Sequence, residues 1–488
     1  MSPTPADAVD AYRACLPGEV VETDLTAFDS TGTPVWSVAL LDPPGGNGVG
    51  YGPDVDSARA SAYGELVEWS RSHAVLSRAR PRRASSADLV ASGEPVADPR
   101  TLCLPAGSSW TPSAPLDWLP ARRERDGEAV WVPVDLLASR PVDVPPGPRL
   151  VTPITNGLGA GLDRDRALSH ALLELLQRDG NGLVFRALDR GVVVDLAGLT
   201  DPAALAALAR LEAADVEPLV KLASTQLGLV DVHAVAADLP GAAGGAAGDE
   251  PITVTAGGEA CHPDREVAVR KALLELCSSR ARKAFAHGDL ARVRALAGDA
   301  YLDRYLAALP ADAVAAEEPR ALSATVEWLD LPRAELAARL AGTVLSRRSR
   351  VALADLPTTP GLADPAALRE DVVGRLHGAG LDVLALDLSG AGVHAVKAVV
   401  PGLEVETMSY GRIGERGVLR ALELDLPFVR VGDDPGGWAP VLLTEEATER
   451  VGGPAWLDRA GVDALVGGLY PLYREPGRHL AQLARAGR

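Results

Sequence analysis

One spacing constrains this chain more than any other feature, because it occurs three times. A glycine-rich segment that reads as a loop leads into a helix carrying alanine, alanine and glutamate at positions i, i+4 and i+7. In the central copy Thr155-Asn156-Gly157-Leu158-Gly159-Ala160-Gly161 precedes Ala167, Ala171, Glu174 and Gln177. Upstream, Gly50-Tyr51-Gly52 precedes Ala58, Ala62, Glu65 and Glu68; downstream, Gly257-Gly258 precedes Ala268, Ala272, Glu275 and Ser278. At about 100° per residue these positions share one side of a helix. Small residues at i and i+4 let that side approach a neighbour closely, so the glutamate points where the helix packs. An unpartnered buried carboxylate is costly, and several converging ones imply a cation or basic partners. The three copies predict a pseudo-repeated architecture around a shared acidic centre.

The rest of the chain narrows what that centre serves. A net charge of -18 over 488 residues excludes a nucleic-acid partner, whose phosphates demand basic surface, but not ATP in a locally basic pocket. The four lysines, Lys221, Lys271, Lys283 and Lys397, are far outnumbered by arginine, which with abundant Ala and Gly points to a GC-rich bacterial genome. Cys15, Cys103, Cys261 and Cys277 form no Cys-x-x-Cys pair, so neither a zinc ribbon nor a disulfide framework is indicated. No signal peptide is legible at the N-terminus, and no apolar run has the length to span a bilayer. No membrane association and a cytoplasmic location are expected by default.

Strand-like and helix-like stretches alternate along the chain. Two strands flank a turn at Ser30-Thr31-Gly32-Thr33-Pro34, and residues 80–120, rich in Pro, Ser and Ala, read as a loop-heavy connection. Ala129–Val134 and Val192–Leu196 read as strands, Pro202–Ala213 as a helix, and Val216–Leu222 with Gly228–Ala236 as a strand pair. Residues 241–249 read as a small, flexible, exposed link, and 297–345 as helical. Asp382–Leu388 and Val393–Val400 read as strands. The expected fold is therefore mixed α/β (α+β), one large catalytic unit over residues 46–405. An N-terminal segment, 1–45, packs on it, and a C-terminal extension covers 406–488.

Glu65 and Glu68, three residues apart on one helix face, are placed to share a hard cation. Glu174 and the amide oxygen of Gln177 extend that oxygen shell. Magnesium accepts such ligands, keeps waters and usually bridges to phosphate. Arg178, Lys271 and Arg280 lie on the same helices to offset a nucleotide's charge. Backbone N–H groups of Asn156–Gly161, at a helix start, are placed to cradle phosphate. Together these parts suit phosphoryl transfer. The plainer readings are that a lone Glu-x-x-Glu is a solvated face, that Arg178 pairs with Asp179 or a helix end, that His170 is a packed or hydrogen-bonded histidine, and that Cys277 is a core residue. Cys261-His262 is too isolated for a catalytic dyad, and the absence of a Walker lysine excludes a P-loop.

At these residues the chain resembles the YcaO family. The similar segments are Gly50-Tyr51-Gly52 with Ala58, Ala62, Glu65 and Glu68, and Thr155-Asn156-Gly157 through Glu174 to Asp179. Gly258, His262-Pro263-Asp264, Ala268, Lys271-Ala272-Leu273, Glu275 and Arg280 form the third, and Val400-Pro401-Gly402-Leu403-Glu404 the fourth. The resemblance implies an enzyme that uses ATP and Mg2+ to phosphorylate a peptide backbone amide oxygen, which is then displaced. A Cys, Ser or Thr side chain as attacker gives an azoline, a sulfur donor a thioamide, an amine an amidine.

By the same resemblance Glu65, Glu68, Glu174 and Gln177 hold magnesium. Asn156, Arg178, Lys271, Glu275 and Arg280 line the nucleotide pocket. The substrate is a ribosomally made peptide or protein, and a partner supplies the leader-binding site or the sulfur; a homodimer is compatible with all of this. Three positions depart from the family pattern: Gln177 replaces a glutamate, Tyr51 a lysine and Trp69 an arginine. The Pro-x-Pro-x-Pro ending of azoline-forming members is absent, and no leader-binding module is legible before residue 46. The alternative class is a non-catalytic scaffold or accessory protein that keeps the fold without turnover.

Overall fold

The computed structural model describes residues 4–40, 45–238 and 249–487. Two compact units emerge, and neither is one stretch of chain. The first comprises Met1–Leu66, Val184–Gly361 and Gly467–Arg488; the second comprises Val67–Leu183 and Leu362–Val466.

Two sheets build the first unit. Val20–Asp24, Val35–Leu40 and Gly46–Tyr51 form an antiparallel meander, with Val35 opposite Tyr51. The second sheet runs, in spatial order, Gly257–His262, Val230–Asp238, Val216–Ser224, Val192–Asp195 and Ser349–Ala352. Its pairs are antiparallel except the last, which is parallel. Pro202–Ala213 is helical as the sequence predicts: proline starts the helix and Asp201 accepts the Ala203 and Ala204 N–H groups. That helix and Arg265–His287 cover the sheet, closing a core of Val220, Val232, Ala260, Ala272, Leu273 and Leu276.

The second unit holds a six-stranded antiparallel sheet. Its order is Arg82–Ser85, Pro115–Arg123, Leu384–Asp387, His394–Val399 and Leu158–Gly161, with Ala129–Pro133 paired to Pro115–Arg123. The Arg164–Asn181 helix packs on the Leu158–Gly161 edge, beside Pro365–Gly378. Trp118, Val132, Leu137 and Leu384 belong to the core of this unit.

Two expectations need correction. Residues 80–120 are not merely a connection: they hold the Arg82–Ser85 strand, the Ser86–Ala91 helix and most of Pro115–Arg123, a main strand of the sheet. Pro115 and Pro120 hid that strand, since proline usually argues against one; here Pro115 is its first residue and Pro120 is exposed. The glycine-rich stretches are likewise strands rather than loops: Gly46–Tyr51, Leu158–Gly161 and Gly257–His262. Their glycines serve close approach. A Cβ at Gly50 would lie 2.0 Å from the Ala62 amide nitrogen, one at Gly159 2.0 Å from the Ala167 carbonyl oxygen, and one at Gly258 2.2 Å from the Ala272 carbonyl oxygen. Each strand thus lies directly on the alanine face of the helix that follows it. Of the 241–249 link, 241–248 lie outside the described residues.

Candidate functional site

The repeated glutamates share one local geometry. Glu65 accepts the Val49 N–H at 2.7 Å, Glu174 the Gly157 N–H at 2.8 Å, and Glu275 the Glu259 N–H at 3.1 Å. Glu68 accepts the Ala160 N–H at 3.0 Å. In each copy the glycine–alanine contact sets the helix against the strand, and the carboxylate clasps the strand's backbone. A carboxylate so held has a fixed direction.

Two of these carboxylates act on one residue in each unit. In the first unit the Tyr51 phenol is pushed well above its ordinary value by burial and then by Glu275 and Glu65. Lys271 is half-buried one turn before Glu275. With burial the larger cause, Lys271 brings the His262 imidazole down to about 4. Arg280, expected at the nucleotide pocket, is instead fully buried. Its guanidinium donates to Asp29 at 2.8 Å and to Asp249 at 2.6 Å, so it is consumed inside the unit.

In the second unit the residue between carboxylates is Lys397, which sequence reasoning passed over. Its ammonium donates to the carbonyls of Ile154 at 2.7 Å and Asn156 at 2.6 Å. Burial brings it down to about 7, against the opposing pull of Glu174 and Glu68. A lone lysine in the apolar strand His394–Val399, in a chain with four lysines, was the available signal. Asn156, Leu175, Lys397, Val400 and Arg412 line a cavity of about 40 Å³. That is room for a few waters and far too little for a nucleotide.

Arg178 faces Glu174 at 3.9 Å rather than Asp179. Asp179 is held by the Glu404 N–H at 3.0 Å and by Arg416 at 2.7 Å. His170 is half-exposed, 3.6 Å from Glu68, so of the plainer reading's two forms it is the one with a polar partner. Gln177 stands one turn beyond Glu174, half-buried. At Trp69, where the family pattern has arginine, the guanidinium of Arg140 lies 3.7 Å over the indole ring. A cation therefore reaches this position from another element.

Glu404, the end of the fourth motif, is structural. It accepts the Gly414 and Gly417 N–H groups at 2.8 and 2.7 Å, at the start of the Glu415–Glu423 helix. Burial outweighs those bonds and pushes its carboxyl up to about 7.

The backbone phosphate cradle at Asn156–Gly161 is not formed. The N–H groups of Gly157, Leu158 and Ala160 are taken by Glu174, Thr155 and Glu68. The helix begins only at Arg164, behind the Asp163 cap, whose carboxylate occupies the place an anion would take. Among the described residues no group of three His, Cys, Asp or Glu side chains forms a metal cage. Magnesium does not need one: it takes one or two carboxylates and completes its octahedron with water and phosphate oxygens. The hard, backbone-clasped oxygens of Glu68 and Glu174 suit it.

A family model described as YcaO cyclodehydratase, ATP- and Mg2+-binding, matches residues 49–404. The chain belongs to the YcaO family. The match begins at Val49, the residue that binds Glu65, and takes in all three glutamate-bearing helices before ending at Glu404. An uncharacterized protein of Methanothermobacter thermautotrophicus is 28% identical over 432 residues, which are 84% of this YcaO chain and 97% of the relative. Among solved structures, YcaO from Methanopyrus kandleri bound with AMPPCP and Mg2+ superposes with a TM-score of 0.57 at 19% identity, covering 84% of this chain and 94% of that one. A heterocyclase in complex with substrate and cofactor superposes with a TM-score of 0.60 at 19% identity, covering 85% of this chain. This chain spans 54% of that heterocyclase. Both similarities establish the mixed helix-and-sheet YcaO fold. ATP and Mg2+ are the cofactors of the family.

Proposed function

We propose that this YcaO protein uses ATP and Mg2+ to activate a backbone amide of a ribosomally made peptide or protein by phosphorylating its oxygen. An azoline, thioamide or amidine would be the product, according to the attacking group. The observation that carries this reading is the shared clasp: four glutamates, each fixed by a backbone N–H in a strand or in the turn that leads into it, in the register that the sequence anticipates. An amide is a poor electrophile, and bound ATP with Mg2+ would supply the phosphoryl group that turns its oxygen into a leaving group.

The chain's own part is positioning and charge neutralisation, which supply most of the rate in phosphoryl transfer. Glu65, Glu68 and Glu174, with the Gln177 amide oxygen, would hold the metal; Asn156, Arg178, Lys271 and Glu275 would face the nucleotide. Gln177 removes one formal charge from that set, which leaves it less anionic before the metal enters. Lys397 pins the carbonyls of Ile154 and Asn156, and so holds the segment whose Gly157 N–H orients Glu174. A partner that presents the leader or delivers sulfur completes the proposal.

Incubation of the purified chain with candidate peptides, ATP and Mg2+ tests it, with product mass as the readout. Magnesium-dependent hydrolysis stimulated by a peptide, with a matching mass change, supports the enzyme. Absence of magnesium-dependent hydrolysis with every candidate peptide and partner would leave a scaffold.

A further inference from the structure

With Arg280 enclosed, the third acidic helix needs another cation on its working face. Lys271, Glu275 and Arg282 fall within about 40° of one another around Arg265–His287. The Arg282 side chain is 38% exposed, where that of Arg280 is 1%. Its guanidinium is raised first by Glu475, with burial opposing, and then by Glu65 and Glu275, the carboxylates flanking Tyr51.

Glu475 comes from the C-terminal segment. Its carboxylate receives Arg282 at 2.7 Å and Lys283 at 2.5 Å, with the His287 ring nitrogen at 3.4 Å. Burial pushes both the His287 imidazole and the Lys283 ammonium down, with Glu475 opposing each, and the Arg282 guanidinium is the group that ends raised. A removable plug and a fixed clamp are the two uses of such a contact. The segment's anchoring decides for the clamp. Tyr470 and Leu480 are buried, the His479 N–H donates to the Ala286 carbonyl at 2.8 Å, and the Gln482 amide donates to the His287 carbonyl at 2.7 Å. Trp328 donates to the Gly468 carbonyl at 3.0 Å as well. Lifting the whole segment from Gly468 to Gln482 away would break all of these.

We propose that Arg282 is a phosphate-binding cation of the nucleotide face and that Glu475 is the positioning residue that aims it. The proposal rests on the ATP reading above. An arginine fork engages an oxyanion through two donors at fixed geometry, and a carboxylate behind it removes the freedom the fork would otherwise lose on binding. Arg282 gives part of its fork to Glu475, and an arginine has donors to spare for a second oxyanion. Lys283 shares Glu475 at 2.5 Å, which holds the carboxylate in place behind the fork.

The test is equilibrium binding of AMPPCP with Mg2+ to the full chain. Arg282→Ala is expected to weaken binding about 10- to 100-fold, with Arg282→Lys recovering part of it. Glu475 keeps Lys283 in that variant, so it is not left as an unpaired buried charge, and a thermal melt confirms folding. Glu475→Gln is expected to weaken binding about 3- to 10-fold in the wild-type background and to add nothing in Arg282→Ala. A wild-type chain that binds while Arg282→Ala binds equally well overturns this inference alone. So does a Glu475→Gln loss of the same size in both backgrounds, which would mark a purely structural residue. No binding by the wild-type chain would remove the ATP reading and this inference with it.

Discussion

Replacing Gly159 with alanine would put a Cβ 2.0 Å from the Ala167 carbonyl oxygen, 3.0 Å from its carbonyl carbon and 3.1 Å from the Ala171 amide nitrogen. All three are helix backbone atoms, so no side chain can rotate aside. Restoring ordinary contact requires the Arg164–Asn181 helix and its strand to part by about 1 Å in a densely packed interior. Overpacking of this kind costs about 1–3 kcal/mol. The Gly157–Glu174 and Ala160–Glu68 bonds, at 2.8 and 3.0 Å, stretch with it. A hydrogen bond to a charged group contributes about 1.5–3 kcal/mol when intact, and partial loss of two adds about 1–2.

Against these stands the smaller unfolded-state entropy of alanine, about 0.4–1 kcal/mol. The net expectation for Gly159→Ala is destabilisation of about 2–4 kcal/mol. With Glu174 holding the metal as proposed, displacing it by about 1 Å is expected to cost about 100-fold in turnover. Gly374 is the control: it lies in the Pro365–Gly378 helix of the same unit, and nothing lies within 4 Å of its added Cβ. Gly374→Ala should stabilise by up to about 1 kcal/mol. Urea unfolding followed by circular dichroism gives both values, and nucleotide hydrolysis gives the second readout. Equal unfolding curves for Gly159→Ala and the wild type would refute the reasoning that strand and helix touch through this glycine.

Further outcomes follow from the same geometry. Glu174→Ala should abolish magnesium-dependent hydrolysis while the thermal melt stays cooperative; retained activity counts against the metal assignment. Arg280→Leu should cost about 3–5 kcal/mol, because it strands Asp29 and Asp249 without their shared cation, and a chemical denaturation midpoint reads it. Glu404 titrates near 7 when folded, up from 4.5, so its folded form holds the proton more tightly. That contribution to stability is fully present below pH 4.5 and lost as pH rises through 7, amounting to about 3 kcal/mol. Glu404→Gln should therefore gain on the wild type at pH 8 and lose that advantage at about pH 4.5; parallel denaturation curves at the two pH values would contradict the burial argument.

Much of this protein was legible in residue order. The Ala-x3-Ala-x2-Glu spacing marked three helices and the face each would bury, because helical periodicity is a local property. Pro202–Ala213 was readable to the residue from its cap and its proline. The four motifs pointed to the family that the chain proves to belong to. The glycines were misread as loops because glycine's usual reason for being in a sequence is a turn. Here its reason is a helix backbone lying where a side chain would be, and that is knowable only once strand and helix are docked. The same holds for Arg280 and Arg282: two residues apart on one helix, they differ by which side faces Asp29 and Asp249 and which faces Glu475. Lys397 tells the same story, an unremarkable lysine until packing buries it beside Glu68 and Glu174. Local spacing determined which residues could act together. Burial and charge pairing, which depend on contacts hundreds of residues apart in sequence, decided which of them are held ready and which are spent inside the fold.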